Sequence, residues 1–289
     1  MGYNGIILVD KPADWTSHDV VAKLRGILHE RRVGHSGTLD PMATGLLTVF
    51  VGRATRAVQF AETHNKRYVA SLRCGYSTDT QDTSGRVTAQ TGISPTEAEL
   101  TDVLPEFTGE ISQIPPMYSA IKVSGKKLYE LARKGETVER KPRTVNISEL
   151  SLVGHDGDDF VLSVSCSKGT YIRTLCNDIG ERLGCLACMS ALRRTNAGPF
   201  DVRDAHTLSE IAEDPERYII PVDSLFSEHP AIELCAAQTA KLKCGNILNV
   251  SAKNGTYRVY GENGDFLALA NVSAGKLKTI KSFFEVDND

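Results

Sequence analysis

One stretch limits what this chain can fold into: His35-Ser36-Gly37-Thr38-Leu39-Asp40-Pro41-Met42-Ala43-Thr44-Gly45, running straight into an apolar segment over 46–51. Gly37 and Gly45 admit backbone angles and close approaches that a side chain forbids. Pro41 fixes its own φ and pushes Asp40 toward an extended conformation. The spacing predicts a rigid, tightly turned loop that presents one carboxylate just before a buried strand. Binding and catalytic groups are often displayed that way on a fixed scaffold. An Asp-Pro pair also fits a plain turn whose carboxylate bonds its own backbone.

Around that loop, helical and strand patterns alternate irregularly. Residues 5–9 and 66–74 read as strands, and 144–153 with 160–165 as a strand pair. Thr16 and Asp19 form a capping box ahead of a helix over 17–29; Thr96 and Glu99 do the same for 96–107. Residues 170–183 read as a helix closed by Gly184, and 187–196 as a further strand. The polar run 75–92 reads as a long loop. Residues 118–123 read as a strand, with a turn at 124–127 and a helix to 134. Strands and helices mixed without a βαβ rhythm place the chain in the α+β class rather than that of a doubly wound sheet. The expected organisation is a catalytic-sized domain over 1–200, a helical connector over 201–230 and a small β-barrel over 231–289, where short strands and glycine turns take over.

The formal charge of −3 excludes a uniformly basic coat. Its distribution is uneven: 1–200 carries 24 Lys+Arg against 22 Asp+Glu, and 201–289 carries 9 against 14. Residues 120–145 hold eight basic side chains against three glutamates, enough for a local phosphate-binding patch or a solvated face. The seven cysteines are scattered, as in a reduced cytoplasmic protein. No leader or membrane-length apolar run is expected. Cys185-Leu186-Ala187-Cys188 lacks a second ligand pair for zinc. Phosphate and dinucleotide loops and an H-E-x-x-H string are missing from the sequence, so ATP, NAD and metal are not indicated.

By residue type alone, Asp40 fits a nucleophile, a general base or a structural cap. A buried nucleophilic carboxylate needs a cation to stay ionised. Arg173, in Ser167-Lys168-Gly169-Thr170-Tyr171-Ile172-Arg173, stands on the first turn of a predicted helix and can fork onto a carboxylate. It fits a surface or phosphate contact as well. Tyr68, after Lys66 and Arg67, fits a half-buried strand aromatic or a base-stacking residue. Arg193 and Arg194 fit RNA contacts or a solvated edge.

The Asp40 string closely resembles the catalytic motif of the TruB family of tRNA pseudouridine synthases, and Ser167–Arg173 resembles the family's "SKGTYIR" segment. Further resemblances follow in order along nearly the whole chain. Asp10-Lys11-Pro12 is similar to an N-terminal "DKP" motif. Thr78-Asp79-Thr80-Gln81-Asp82 is similar to "TDTxD", and the 114–129 stretch to one that meets the tRNA T arm. The resemblance implies Asp40 as the essential carboxylate, Arg173 as its ion partner and Tyr68 as the residue stacked on the target uracil. It further implies that His35 contacts the flipped nucleotide, Lys11 supports the floor, Asp82 orders the site and Leu192 lines the uracil pocket. Lys66 and Arg67 would suit nearby phosphates.

The implied activity is isomerisation of uridine 55 in the T loop of tRNA, without cofactor or metal, by a monomer. The resemblance implies a mixed, mostly antiparallel sheet flanked by helices, followed by a small PUA-like C-terminal β-domain, for which 232–289 has the length and texture but no specific string. Rival readings are a non-enzymatic tRNA-folding factor and a guide-RNA-dependent relative. A glycoside hydrolase would need two paired acids, and only Asp40 can be defended.

Overall fold

Thirty-two residues of backbone separate the first strand from the start of the third, yet the two lie side by side. β1 (Gly5–Lys11) pairs antiparallel with β3 (Thr44–Val51) from Gly5↔Val51 to Lys11↔Gly45. Both strands are apolar on nearly every position, as a strand covered on both faces must be. The computed structural model describes residues 2–119, 121–123 and 125–285.

Between these strands runs α1 (Ser17–Leu28), opened by the predicted Thr16–Asp19 capping box and closed by His29 in the left-handed region. Val20, Val21, Leu24 and Leu28 form its buried stripe against β1 and β3. Each such side chain contributes roughly 1.5–3 kcal/mol relative to exposure. β2 (Val33–Ser36) follows, a short strand absent from the sequence reading. After β3 a 3-10 turn (Gly52–Ala57) runs into α2 (Val58–Ala61).

β4 (Lys66–Cys74) has the predicted bounds. The loop expected over 75–92 instead contains a small hairpin, β5 (Tyr76–Thr78) and β6 (Val87–Gln90). β6 is exposed along its whole length and only four residues long, too short for its alternation to stand out in a polar stretch. α3 (Glu97–Val103) has the predicted Thr96–Glu99 box and leads through a 3-10 turn into β7 (Gly109–Gln113), a further unpredicted strand, at the sheet edge. The expected 118–123 strand is reduced to a two-residue ladder, β8 (Lys122–Val123) with β9 (Lys126–Lys127), before α4 (Leu128–Ala132). Ala120 and Ser124 of that stretch lie outside the described residues.

β10 (Arg143–Asp156), β11 (Asp159–Cys166), α5 (Ile172–Leu183), β12 (Ala187–Ala197) and β13 (Phe200–Asp201) complete the main sheet. Its order is β1-β3-β12-β4-β11-β10-β7, with β2 on β3 and β13 on β12. The pairing is antiparallel throughout except where β12 meets β3 in parallel at Arg193↔Thr44 and Arg194↔Gly45. The sheet is therefore mixed and mostly antiparallel. α5 packs on it through Ile172, Leu175, Cys176 and Ile179, which share a core with Leu39, Tyr68, Ala70 and Leu192.

The 201–230 segment does more than connect. It holds α6 (Leu208–Glu213) and three short 3-10 turns. Its backbone bonds β1 directly, with Ile6 and Ile220 exchanging both bonds and Asp10 N–H donating to the His206 carbonyl. Val222, Leu225 and Phe226 then pack with Leu46 and Phe50 from one side and Leu269 and Phe283 from the other.

The last unit is a five-stranded sheet: β14 (Ala231–Glu233), β15 (Leu248–Asn249), β16 (Gly255–Tyr260), β17 (Phe266–Ser273) and β18 (Lys276–Ser282), in the order β14-β16-β17-β18-β15. α7 (Ala236–Lys243) covers it. A closed barrel was expected here. Among the described residues the ladder ends at β14 and β15 and is not closed.

Candidate active site

The Asp40 loop owes its position to an edge that two strands share. On one side of β3, β2 occupies Thr48–Val51 and β12 occupies Thr44–Gly45. The chain leaving β2 is therefore lifted over the seam between them before it enters β3. Gly37 turns it with φ +70°. Ser17 of α1, fully buried, holds Leu39 by both backbone groups: its Oγ accepts from Leu39 N–H at 2.9 Å and donates to Leu39 carbonyl at 3.2 Å. The Ala43 N–H donates to the Asp40 carbonyl, closing the turn that Pro41 predisposes.

Lys11, also fully buried, lies beneath. Its Nζ donates to the carbonyls of Trp15 at 2.6 Å, Pro12 at 2.8 Å and Pro41 at 3.1 Å. Burial pushes its ammonium down to about 8, while Asp14 and Asp40 hold it up. The loop thus stands on a cationic floor one residue from Asp40.

Arg173 comes from the second residue of α5. That helix has no side-chain cap of its own at Tyr171; the buried Gln113 at the end of β7 accepts from the Tyr171 N–H instead. A cation at a helix N-terminus works against the macrodipole, so carboxylates must hold it there. Two do. Arg173 Nε lies 2.9 Å from Asp40 Oδ2 and Nη2 3.3 Å from Asp40 Oδ1, while Nη1 is 3.7 Å from Asp82 Oδ2. The fork also donates to the carbonyls of Thr80 at 3.0 Å and Tyr118 at 2.8 Å. Arg173 is closed off, its side chain 6% exposed, whereas that of Asp40 is 36% exposed. The carboxylate is reachable and its counter-ion is not.

Asp82 is fixed from behind. Its Oδ1 accepts from Thr80 Oγ1 at 2.7 Å, Ser84 N–H at 3.0 Å and Ser84 Oγ at 2.5 Å. Gln81, beside it at φ +63°, accepts from the Thr174 hydroxyl of α5. Burial raises the Asp40 carboxyl above its ordinary value; the Arg173 charge pulls it back, Asp82 raises it and Lys11 lowers it.

Tyr68 sits on β4 opposite Arg194, with Leu192 opposite Ala70. Tyr68, Leu192 and Leu39 share the apolar wall beside Asp40. Burial raises the Tyr68 phenol, which keeps it protonated near neutrality. His35 stands on β2 with its ring edge-on to His18 at 5.6 Å. Burial and the charges of His18 and Arg194 push it down to about 4, and its Nδ1 is buried with no protein partner. The assembly offers one accessible carboxylate, a buried cation, a neutral phenol and a neutral imidazole beside an apolar wall.

A profile of the TruB family pseudouridylate synthase N-terminal domain matches residues 25–172, and that of a tRNA pseudouridylate synthase B C-terminal domain matches 173–227. The tRNA pseudouridine synthase B of Pseudomonas fluorescens Pf0-1 is 42% identical over 280 residues, covering 93% of this chain and 92% of the relative. That of Clostridium kluyveri is 39% identical over 287 residues, covering 97% and 99%. The chain belongs to the TruB family. Among solved structures, an H/ACA ribonucleoprotein bound to a substrate RNA containing 2′-deoxyuridine aligns with a TM-score of 0.73 at 26% identity, over 98% of this chain and 86% of that one. A Cbf5-Nop10-Gar1 complex aligns with the same TM-score at 28% identity, over 97% and 85%.

Of the two cations expected beside Tyr68, one lies on the far face of the sheet. Arg67 does not face the Asp40 loop: strand alternation turns it to the sheet face opposite Tyr68, where it bonds Ser165 and pairs with Glu149 at 2.9 Å. Lys66 is on the Tyr68 face, but its Nζ is spent on the carbonyls of Glu62 and His64, and burial pushes it down to about 8. Arg193 and Arg194, read as RNA contacts or a solvated edge, part ways: Arg193 stays half-exposed and Arg194 does not. Arg193 forks onto Asp10 at 2.8 and 2.9 Å, and Arg194 is 1% exposed. Sequence reasoning missed Ser17, Gln113 and the burial of Arg194. The last had a signal: Arg194 is two residues from Leu192 on one strand and so shares its face.

Proposed function

We propose that this protein converts uridine to pseudouridine at position 55 in the T loop of tRNA. The observation that carries the reading is the reachable Asp40 carboxylate gripped by the buried Arg173 fork. The family relationship supports the reaction, and the names of the relatives support tRNA as substrate. The N1–C1′ bond of the nucleotide breaks, the uracil turns, and a C5–C1′ bond forms. N1 gains a proton and C5 loses one to water. Nothing is oxidised and nothing leaves, so the chemistry asks for no cofactor.

The uridine must first leave its stack, at a cost of about a few kcal/mol. The apolar wall of Tyr68 and Leu192 suits a flipped base, which is generally held by stacking. Neutral His35 suits the space beside it. Asp40 acts on the nucleotide and Arg173 keeps it ionised against its burial. Asp82 holds Arg173, and Lys11 holds the loop. The basic stretch around Lys122, Lys126 and Lys127 suits the T-arm backbone. The C-terminal unit is read as PUA-like on the strength of its size and five short strands. The reading includes a monomer working in the cytoplasm. A non-enzymatic RNA-folding role leaves the Asp40–Arg173 pair without a use, and identity near 40% over nearly full length to proteins named tRNA pseudouridine synthase B disfavours a guide-dependent one.

The test is tritium release from tRNA transcript labelled at uracil C5, with wild type and Asp40→Asn. Release by wild type alone, without guide RNA, supports the reading. Binding without release by wild type, or undiminished release by Asp40→Asn, overturns it.

A further inference from the structure

The seam beneath the Asp40 loop leaves backbone carbonyls that no strand can satisfy. The β2 pairing on β3 stops at Ser36↔Thr48, and the β12 pairing stops at Arg194↔Gly45. Leu46 and Leu47, both fully buried, lie in the gap. Buried carbonyls demand donors. Arg194 supplies them: its Nε donates to the Leu46 carbonyl at 2.7 Å and its Nη2 to the Gly37 carbonyl at 3.0 Å. One rigid guanidinium therefore ties the point where the chain leaves β2 to the point where it has entered β3. Asp40 lies between those two points.

Ser17 at Leu39 and Lys11 at Pro41 hold the middle of the loop, and Arg193 reaches the Thr44 hydroxyl only at 3.5 Å. Arg194 has Gly45 as its Cα partner on one side and Tyr68 on the other. It is the residue through which the Asp40 loop and the Tyr68 strand are registered. No ion pair among the described residues includes it. Burying a guanidinium without a carboxylate partner is costly. A leucine or methionine would fill the volume without that cost, and could bond neither carbonyl.

We propose that Arg194 is a positioning residue for the reaction, its fork closing the Asp40 loop at both ends and holding Asp40 in register with Tyr68. In this scheme it acts through Asp40 and Tyr68 and meets no atom of the nucleotide. The inference rests on Asp40 being the reacting carboxylate. A lysine at this position keeps charge and length, but its single ammonium lacks the planar fork that spans two fixed acceptors.

The experiment compares full-length wild type, Arg194→Lys and Arg194→Met by three readouts: tRNA affinity, single-turnover tritium release, and amide hydrogen exchange. In Arg194→Lys, release should slow by about 10–100-fold, the scale of an ångström-level misplacement. Affinity for tRNA should stay within about threefold, as expected when only transition-state alignment is lost. Exchange should quicken in 37–46 and stay unchanged in β16, β17 and β18. Arg194→Met should lose at least as much rate; if it does not fold, Arg194→Lys decides. Wild-type rate and exchange in Arg194→Lys overturn the proposal. So does a rate loss matched by lost affinity, which makes Arg194 an RNA contact, or faster exchange across the whole sheet, which makes it a plain core residue. Exchange in 37–46 does not depend on turnover. A clamp that fails is thus distinguishable from a wrong role for Asp40, which Asp40→Asn reports.

Discussion

Asp40 and Asp82 share one cation: Arg173 Nε lies 2.9 Å from Asp40 Oδ2, and its Nη1 lies 3.7 Å from Asp82 Oδ2. Two carboxylates on a single guanidinium repel each other, and the repulsion falls on the one that must stay ionised. Asp82 raises the Asp40 carboxyl, in the same direction as burial. Activity that needs ionised Asp40 should therefore fall on the acid side at a pH above that of an ordinary aspartate, about 3.9. Asp82→Asn removes the like charge and makes ionisation of Asp40 easier. The acid limb of the single-turnover rate should move to lower pH, even as the plateau drops through loosened Thr80 and Ser84 contacts. An acid limb that stays put or moves up would show that Asp82 does not set the ionisation of Asp40.

Tyr68 separates packing from proton chemistry. Its ring is part of the wall beside Asp40, and its phenol is raised by burial. Tyr68→Phe keeps the ring and removes only the hydroxyl. tRNA affinity should be unchanged, while single-turnover tritium release drops by roughly 100-fold or more, the scale of a lost general acid–base group. Equal rates would restrict Tyr68 to stacking.

How much of this was readable from residues varies with the range of the interaction. Local signals held: both capping boxes, the glycine that ends α5 and the rigid Asp40 loop are each written within a few neighbouring positions. The pairing of Asp40 with Arg173 spans 133 positions, and no periodicity links them. Only the family resemblance brought them together. Arg67 was misplaced because a basic residue beside Tyr68 suggests phosphate, although strand alternation puts neighbours on opposite faces. β2 and the β5–β6 hairpin stayed hidden because they are short and largely not buried on a clean period of two. In the C-terminal unit, strand texture was legible, but whether the ladder closes depends on pairing between distant edges.

His35 should make stability depend on pH in a defined window. Burial lowers its folded-state value from 6.5 to about 4. Below 6.5 the unfolded chain takes up a proton that the folded chain refuses, so stability falls as pH drops from 6.5 to about 4. The sensitivity attributable to His35 should be on the order of 2–3 kcal/mol across that window. In urea midpoints measured from pH 7 to pH 4, wild type should lose stability relative to His35→Gln toward the acid end. Parallel curves would mean that His35 is protonated in the fold.

Two glycines give opposite outcomes for the same substitution. Gly45 has φ +95°, and a Cβ there would lie 2.4 Å from the Arg194 carbonyl and 2.9 Å from its N–H nitrogen. Neither backbone atom can move without opening the parallel contact of β3 with β12, the contact that seats the Asp40 loop. Gly45→Ala should destabilise by about 2–5 kcal/mol from strain and overpacking together. It should also abolish tritium release in whatever fraction still folds. Gly26 is exposed within α1, with helical backbone and nothing within 4 Å of its would-be Cβ. Gly26→Ala should stabilise by about 0.5–1 kcal/mol, because alanine has less chain freedom to lose in a helix. Urea denaturation of the two variants against wild type reads both signs at once. A Gly45→Ala protein of normal stability would mean that the β3–β12 seam can shift, and that Asp40 is not held as rigidly as its contacts imply.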